Sequence, residues 1–501
     1  ESIASWIALW SVLQLLLSGQ WNVRYNVGKT QGRGARVVPV FVAVASAFGL
    51  GVDAAKTSTK KKSGFSKVPY QRKTSKEDSA SLMKDLDTFI YDATSYLVRI
   101  SHTPEQDPTF PGRFTYQTDL RKSLDPALKK NYWNDKSHYQ FDYNLLRHNG
   151  AIYALSQAYA RNREVLKEGH SRIGVGGGSK STAGTAPLSA LQQPTLERLQ
   201  ESIVQTMERA VGYLRDNALL PVPNHQAEWL AAWERTDIDD PHSEPETAKL
   251  GGAGLAMIAL GRMEVIKPRS VSLEKELRKL GAFVESLQRP EDGGFVSKYE
   301  WRDGPNNEWA SLYYPGEAAL GLMTLAELEL EREQAAIQKQ KGMITSADLE
   351  LEHQHYPQHH HQKLGGKNKP VIVHSRRWIT IATRALLYLE RLRRDQELED
   401  IEPDHWALLA TAQLLPLLDR QRKEAPKGRV RKQADLDYWL VYHHGVRVAT
   451  SMVADHTTKG LEEHQGCFTY DSRTCATATR LEGLCESNCV VGINHMRVGT
   501  A

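Results

Sequence analysis

Leu250-Gly251-Gly252-Ala253-Gly254-Leu255-Ala256-Met257-Ile258-Ala259-Leu260 carries no polar side chain over about three helical turns. A helix that is apolar on every side must be buried on every side, and its small residues let neighbours approach closely. Ala318 to Leu328 and Ala407 to Leu418 have the same character. Between these runs lie helices of a second kind. Leu196, Leu199, Ile203, Met207, Val211 and Leu214 recur three or four apart, as do Leu273, Leu277, Leu280, Val284 and Leu287, and again Trp378, Ile381, Ala385, Leu389 and Leu392. Such spacing puts one face on a core and the other in water.

The order of the two kinds carries the architecture. Buried 145–162 precedes amphipathic 194–219, 248–263 precedes 273–288, 315–330 precedes 375–394, and 404–418 precedes 435–454. A helix from Leu82 to Ile100 opens the series, and another buried one starts near Thr474. Helices that alternate in this way pair as hairpins. A repeated inner and outer alternation closes into a double ring whose inner helices are parallel, and a superhelical solenoid of helix pairs is the alternative. The expected fold class is therefore all-α: an (α/α) toroid of about five to six helical hairpins with short β-turn segments. Residues 81–484 would form this domain, and 485–501, which lack helical pattern, an irregular tail.

The chain has 501 residues, 40% of them hydrophobic and 25% charged, which is ordinary for a globular protein. Its net charge of +4 is too small for the electrostatic footprint of a nucleic-acid binder. The basic run from Lys56 to Lys76, including Lys60-Lys61-Lys62, reads as a disordered linker over 56–80, with contact to an acidic lipid or polymer as the sharper alternative. Before it, Arg33 and Arg36 flank the apolar run Val37 to Val52, with small residues at Ala54-Ala55. Residues 1–55 thus look like a signal or anchor, or a transit segment. The run, at about 16 residues, is short for a full span. The expectation is the secretory pathway or the extracellular space, with membrane anchoring through this segment or an organellar address as the other readings.

Gly174 to Pro187 and His353 to Lys369 read as low-complexity insertions. The second contains five histidines but no carboxylate or cysteine at fixed spacing, so a loop is the better reading than a metal site. The four cysteines, Cys467, Cys475, Cys485 and Cys489, form no CxxC pair and predict no structural zinc. No metal or other cofactor is expected.

Distinctive residues collect where the inner helices start: Arg147-His148-Asn149-Gly150, Lys249-Leu250-Gly251-Gly252, Tyr313-Tyr314-Pro315-Gly316-Glu317, Pro403-Asp404-His405-Trp406, and Arg473-Thr474 leading to Thr479-Arg480-Leu481-Glu482-Gly483. Parallel inner helices would place all of these on one rim, and a polar cluster in a concave pocket is the default site. Glu317 after Pro315, and Asp404 after Pro403, also suit a helix start as dipole partner and N-cap. His405 is either a hydrogen-bonded rim histidine or a general base. Glu482 lies two turns inside a buried helix, where capping cannot explain it, and Arg480 or Arg473 could pair with it. Glu482, Glu317, Asp404 and His405 are the catalytic candidates. His148, Asn149, Tyr313, Tyr314, Trp406, Arg473 and Arg480 are the candidates for holding substrate. The aromatic residues among them suit stacking on a sugar ring and suit packing equally.

Gln288-Arg289-Pro290-Glu291-Asp292-Gly293-Gly294-Phe295 ends one outer helix in a turn, and Phe110-Pro111-Gly112-Arg113-Phe114 looks alike; both read as structural. This "QxPxDGGF" turn, together with inner helices opening "LGG", "YYPGEA" and "TATRxEG", resembles the α/α-toroid superfamilies over roughly residues 80–484. These include six-hairpin glycosidases, sugar epimerases of the acylglucosamine 2-epimerase and glucuronyl C5-epimerase kind, and the prenyltransferase and terpene-cyclase toroids. The motif set is most similar to uncharacterised bacterial toroid proteins. The Asp/Cys/His zinc set of the prenyltransferases is not evident, which counts against that branch. What the resemblance implies is a carbohydrate-active enzyme (a glycoside hydrolase, sugar epimerase or lyase) acting on an oligosaccharide or polysaccharide at the leading rim of the inner helices. The alternative is a non-catalytic toroid that binds a glycan or a protein, or a scaffold subunit.

Overall fold

The computed structural model describes residues 88–118 and 139–173 in part, and 192–340 and 374–458 almost throughout. The N-terminal segment and linker, both insertions, and Arg473, Arg480, Glu482 and the four cysteines fall outside the described residues.

The first described helix, α1, covers 90–100. Then come α2 (Leu145–Ile173), α3 (Gln192–Tyr213), α4 (Leu250–Ile266), α5 (Arg278–Ser286), α6 (Tyr314–Gln340), α7 (Ser375–Arg393), α8 (His405–Glu424) and α9 (Arg429–Thr458). Each predicted helix that falls within the described residues is present; the one expected to open near Thr474 lies outside them. Two have ends wound as π-turns: Leu214–Ala218 continues α3, and Leu273–Leu277 leads into α5 with the Ser272 hydroxyl accepting from the Lys275 N–H at 3.1 Å.

The even-numbered helices form the interior. Fourteen of the 17 residues of α4, from Leu250 through Glu264, are buried. In α7 Trp378, Ile381, Ala385 and Leu389 of the predicted stripe are buried, flanked by Ile379, Ala382, Thr383 and Leu386, while Leu392, also expected on it, is exposed. α4 packs on α2 and α6, and α6 on α8, so the inner helices neighbour one another in chain order. Glycine contacts fix the direction of one pair. A Cβ on Gly254 would fall 2.5 Å from the Glu317 carbonyl oxygen, and one on Gly261 would fall 2.5 Å from Thr324 Cγ2. Seven residues along α4 thus match seven along α6, and the two helices run parallel at backbone contact.

The two turns singled out in the sequence do the same job at different places. Phe114 bridges to Ser101, and Phe295 to Gln288, in antiparallel fashion. Each turn carries a glycine in the left-handed region, Gly112 at φ +91° and Gly293 at φ +74°. Gly112 lies against the carbonyl of Arg209 in α3, and Gly293 against the carbonyl of Arg384 in α7. The end of one outer helix is in this way seated on the next outer helix. Gln288 Nε2 donates to the carbonyls of Gly293 and Ile381, both at 3.0 Å, and locks the second turn.

The expectation of an all-α chain needs one correction. Besides the small pair β1 (Gln117–Thr118) and β2 (Tyr139–Gln140), five strands form one antiparallel sheet in sequence order: β3 (Leu219–Pro221), β4 (Leu230–Arg235), β5 (Pro245–Lys249), β6 (Lys298–Glu300) and β7 (Gly304–Asn306). They lie in the connections between helices and are too short to show a period. Trp233, Ala248 and Tyr299 stand in register across β4, β5 and β6 and are all buried, and the Tyr299 ring packs on Phe283 of α5 with centroids 5.7 Å apart. By strand alternation Glu234, Thr247, Lys249, Lys298, Glu300 and Asn306 belong to the opposite face. β5 runs directly into α4, so this polar face sits at the leading ends of the inner helices.

Candidate functional site

The first turns of four inner helices touch in succession. Asn149 Nδ2 of α2 donates to the Gly252 carbonyl of α4 at 3.3 Å. Gly251 of α4 faces the Glu317 carboxylate and the Tyr314 ring of α6. Gly316 of α6 faces Asp404 Oδ1 and the backbone of Ala407 in α8. Across the group, the Trp406 ring centroid of α8 lies 6.5 Å from that of Tyr153 in α2. Four of the five predicted leading ends therefore gather in one place; the fifth, around Glu482, is outside the described residues.

Glu317 is the chemically distinctive member. It is 5% exposed, and its Oε2 has no hydrogen-bond partner. Burial, reinforced by the neighbouring Asp404 carboxylate and opposed by the Arg147 guanidinium, pushes its pKa up to about 8. At neutral pH it is a carboxylic acid, able to donate a proton. Burial pushes the Tyr314 phenol up to about 12, with the charges of Glu317 and Glu234 acting in the same direction. Glu234 of β4 is itself paired with Lys249 of β5 at 2.7 Å.

Asp404 is fully buried and fully occupied. Its Oδ1 accepts the Ala407 N–H at 2.9 Å, capping α8, and its Oδ2 accepts from Arg393 of α7 at 3.0 Å. Arg393 also donates to the Leu312 carbonyl at 3.3 Å and to Nε2 of the buried His444 at 3.2 Å. Burial raises the Asp404 carboxyl above its ordinary range, while the Arg393 charge and the cap oppose the shift. The capping reading of Asp404 thus matches its position, and what the carboxylate lends the site is the field that keeps Glu317 protonated.

His148 and Asn149 lie inside the helix wall. His148 Nε2 donates to the Ala210 carbonyl at 3.0 Å, its ring is flanked by Phe114 and Tyr213 at 5.1 Å each, and desolvation lowers its pKa to about 3. It is a neutral, buried strut between α2 and α3. Asn149 is fully buried and keeps Oδ1 without a hydrogen bond. His405 is buried against Trp406, with ring centroids 4.5 Å apart. Tyr313 reaches outward, its hydroxyl donating to Glu402 at 3.1 Å.

Three contributors were not legible in the sequence. Glu234 comes from a strand too short to recognise, Arg393 from the last turn of an outer helix, and Trp309 from the loop before α6. Only a fold that brings β4, α7 and this loop to the same end reveals them. Among the described residues no three His, Cys, Asp or Glu side chains are grouped to hold a metal ion, and no helix is long and apolar enough to cross a membrane. No protein-family model matches the chain, and no curated protein matches its sequence.

Proposed function

We propose that the chain is a carbohydrate-active enzyme built on an α/α toroid and acting at the leading ends of its inner helices. The observation that carries this reading is Glu317: a buried carboxyl with an unpartnered oxygen, beside Tyr314, where four helix starts converge and burial pushes its pKa up to about 8. A carboxyl with its pKa raised toward neutrality is what general-acid catalysis at a glycosidic oxygen requires.

In hydrolysis, Glu317 would give its proton to the oxygen of the bond being cleaved as the anomeric carbon gains positive charge. Water then adds to that carbon and returns a proton to a carboxylate. Glu234, paired with Lys249 and within electrostatic reach of Tyr314, is the carboxylate this reading assigns to that task. The same acid, with the Tyr314 phenol, would suit proton exchange at a carbon next to a uronate, as in an epimerase or lyase.

The occupation of Asp404 by Arg393 and by the α8 cap favours a second reading, a glycan-binding toroid without turnover, because it leaves one fewer carboxylate for chemistry. Product analysis on a panel of oligosaccharides separates the two. The enzyme reading expects cleavage or epimerisation by the native chain that Glu317→Gln abolishes. Turnover that survives the substitution removes Glu317 from the mechanism, and binding without any product by the native chain selects the second reading.

A further inference from the structure

Trp309 stands on the loop between β7 and α6 with 43% of its surface exposed, next to Leu312 at 52%. Exposed tryptophan and leucine on one short loop need a reason, since apolar surface of this size is costly to leave in water. The indole is not loose. Its centroid lies 5.4 Å from that of Tyr314 in an edge-on arrangement, and the Lys298 ammonium sits 4.9 Å from its centroid. Tyr314 in turn lies against Gly251 beside the Glu317 carboxylate. A continuous path of contacts therefore leads from Lys298 through Trp309 and Tyr314 to the protonated acid.

The charges on the polar face of the sheet are unevenly satisfied. Lys249 is paired with Glu234. Glu300 accepts from Thr247 at 2.5 Å and from Asn306 at 3.2 Å. Lys298 stands in register between Lys249 and Asn306, and the contact shown for its ammonium is the Trp309 ring. A cation held at an indole by its quadrupole keeps most of its capacity to attract an anion. The indole beside it offers a flat apolar face of the size of a sugar ring.

We infer that Trp309 and Lys298 form a subsite for an acidic sugar, one carrying a carboxylate or a sulfate, next to the reacting unit. This inference rests on the reading of Glu317 as the acid. The sugar ring stacks on the indole while its anionic group meets the Lys298 ammonium, and the adjoining residue of the chain reaches Tyr314 and Glu317. Neutral glycans would gain the stacking but not the ion pair.

The test is binding to an array holding uronate-containing, sulfated and neutral oligosaccharides, with Trp309→Ala, Lys298→Met and Glu317→Gln compared with the native chain. Trp309 is exposed and Lys298 half-buried, so thermal melts should match the native one and serve as the control for folding. The native chain is expected to retain acidic glycans over neutral ones. Trp309→Ala should weaken all of this binding by about tenfold or more. Lys298→Met should remove the preference for acidic glycans and lose it together with its salt dependence. Glu317→Gln, at a residue the adjoining sugar reaches, should lose turnover in product analysis while keeping the preference for acidic over neutral glycans. Retention of neutral glycans only, of none at all, or an unchanged profile in Lys298→Met overturns the subsite. Should Glu317→Gln turn substrate over while the Trp309 and Lys298 effects persist, the acid assignment fails and the subsite stands.

Discussion

The Glu317 carboxylate lies on the bare Cα of Gly251, so closely that a Cβ there would come within 1.9 Å of Oε2 and 2.5 Å of the Tyr314 ring. The acid of one inner helix thus depends on the missing side chain of its neighbour. Gly251→Ala is expected to push Glu317 and Tyr314 off their positions. The cost should be about 1–3 kcal/mol, as for overpacking of a filled core. Chemical denaturation measures the cost, and the same variant should lose activity in proportion to the displacement of Glu317. An alanine tolerated without loss of stability would show that the contact is looser than described.

Glu317 and His148 give opposite pH dependences. The Glu317 pKa, raised to about 8, lies above that of an unfolded glutamate, so the folded state binds the extra proton between the two values. Stability therefore falls as pH rises from about 4.5 to 8. Buried Asp404, also raised, adds to the same slope. The His148 pKa, lowered to about 3, lies below that of an unfolded histidine, and its share of stability falls as pH drops from about 6.5 to 3. The two windows overlap from about pH 4.5 to 6.5, where their opposite slopes offset, and greatest stability is expected there. Glu317→Gln should flatten the alkaline limb and raise stability at pH 8 by on the order of 2–4 kcal/mol. Melts across pH on the native chain and this variant check the sign, and a steeper alkaline limb in Glu317→Gln would contradict it.

The Arg393–Asp404 pair is buried on both sides, with side chains 5% and 0% exposed. Arg393→Met leaves an uncompensated carboxylate in the interior and should cost about 3–5 kcal/mol. Adding Asp404→Asn should recover part of that loss, because the asparagine can still cap α8 while no longer burying a charge. A double-mutant cycle by denaturation reads the coupling. Additive losses would mean that the two groups are independent.

The wall position of His148 separates stability from activity. His148→Phe keeps the aromatic contacts with Phe114 and Tyr213 but strips the Ala210 carbonyl of its donor, at about 1–3 kcal/mol. Melting should fall while turnover per folded molecule stays at the native level. A selective loss of turnover at unchanged stability would return His148 to the site.

What could be read from residues alone was everything local. The apolar closure of α4, the single stripes of α3 and α7, the glycine turns at 112 and 293, and the capping role open to Asp404 all follow from spacings of a few residues, because helix period, caps and turns are set by neighbours in the chain. The sheet was hidden because strands of three to six residues carry no period, and their register depends on partners as far away as Thr247 and Glu300 are in the chain. The field at Glu317 was equally hidden: its direction depends on Gly251, Asp404 and Arg147 arriving from three other helices or their caps, and on water being excluded once they arrive. Charge and burial act through space, so packing alone decided that the Glu317 pKa is raised and that Asp404, beside it, caps α8 and holds Arg393.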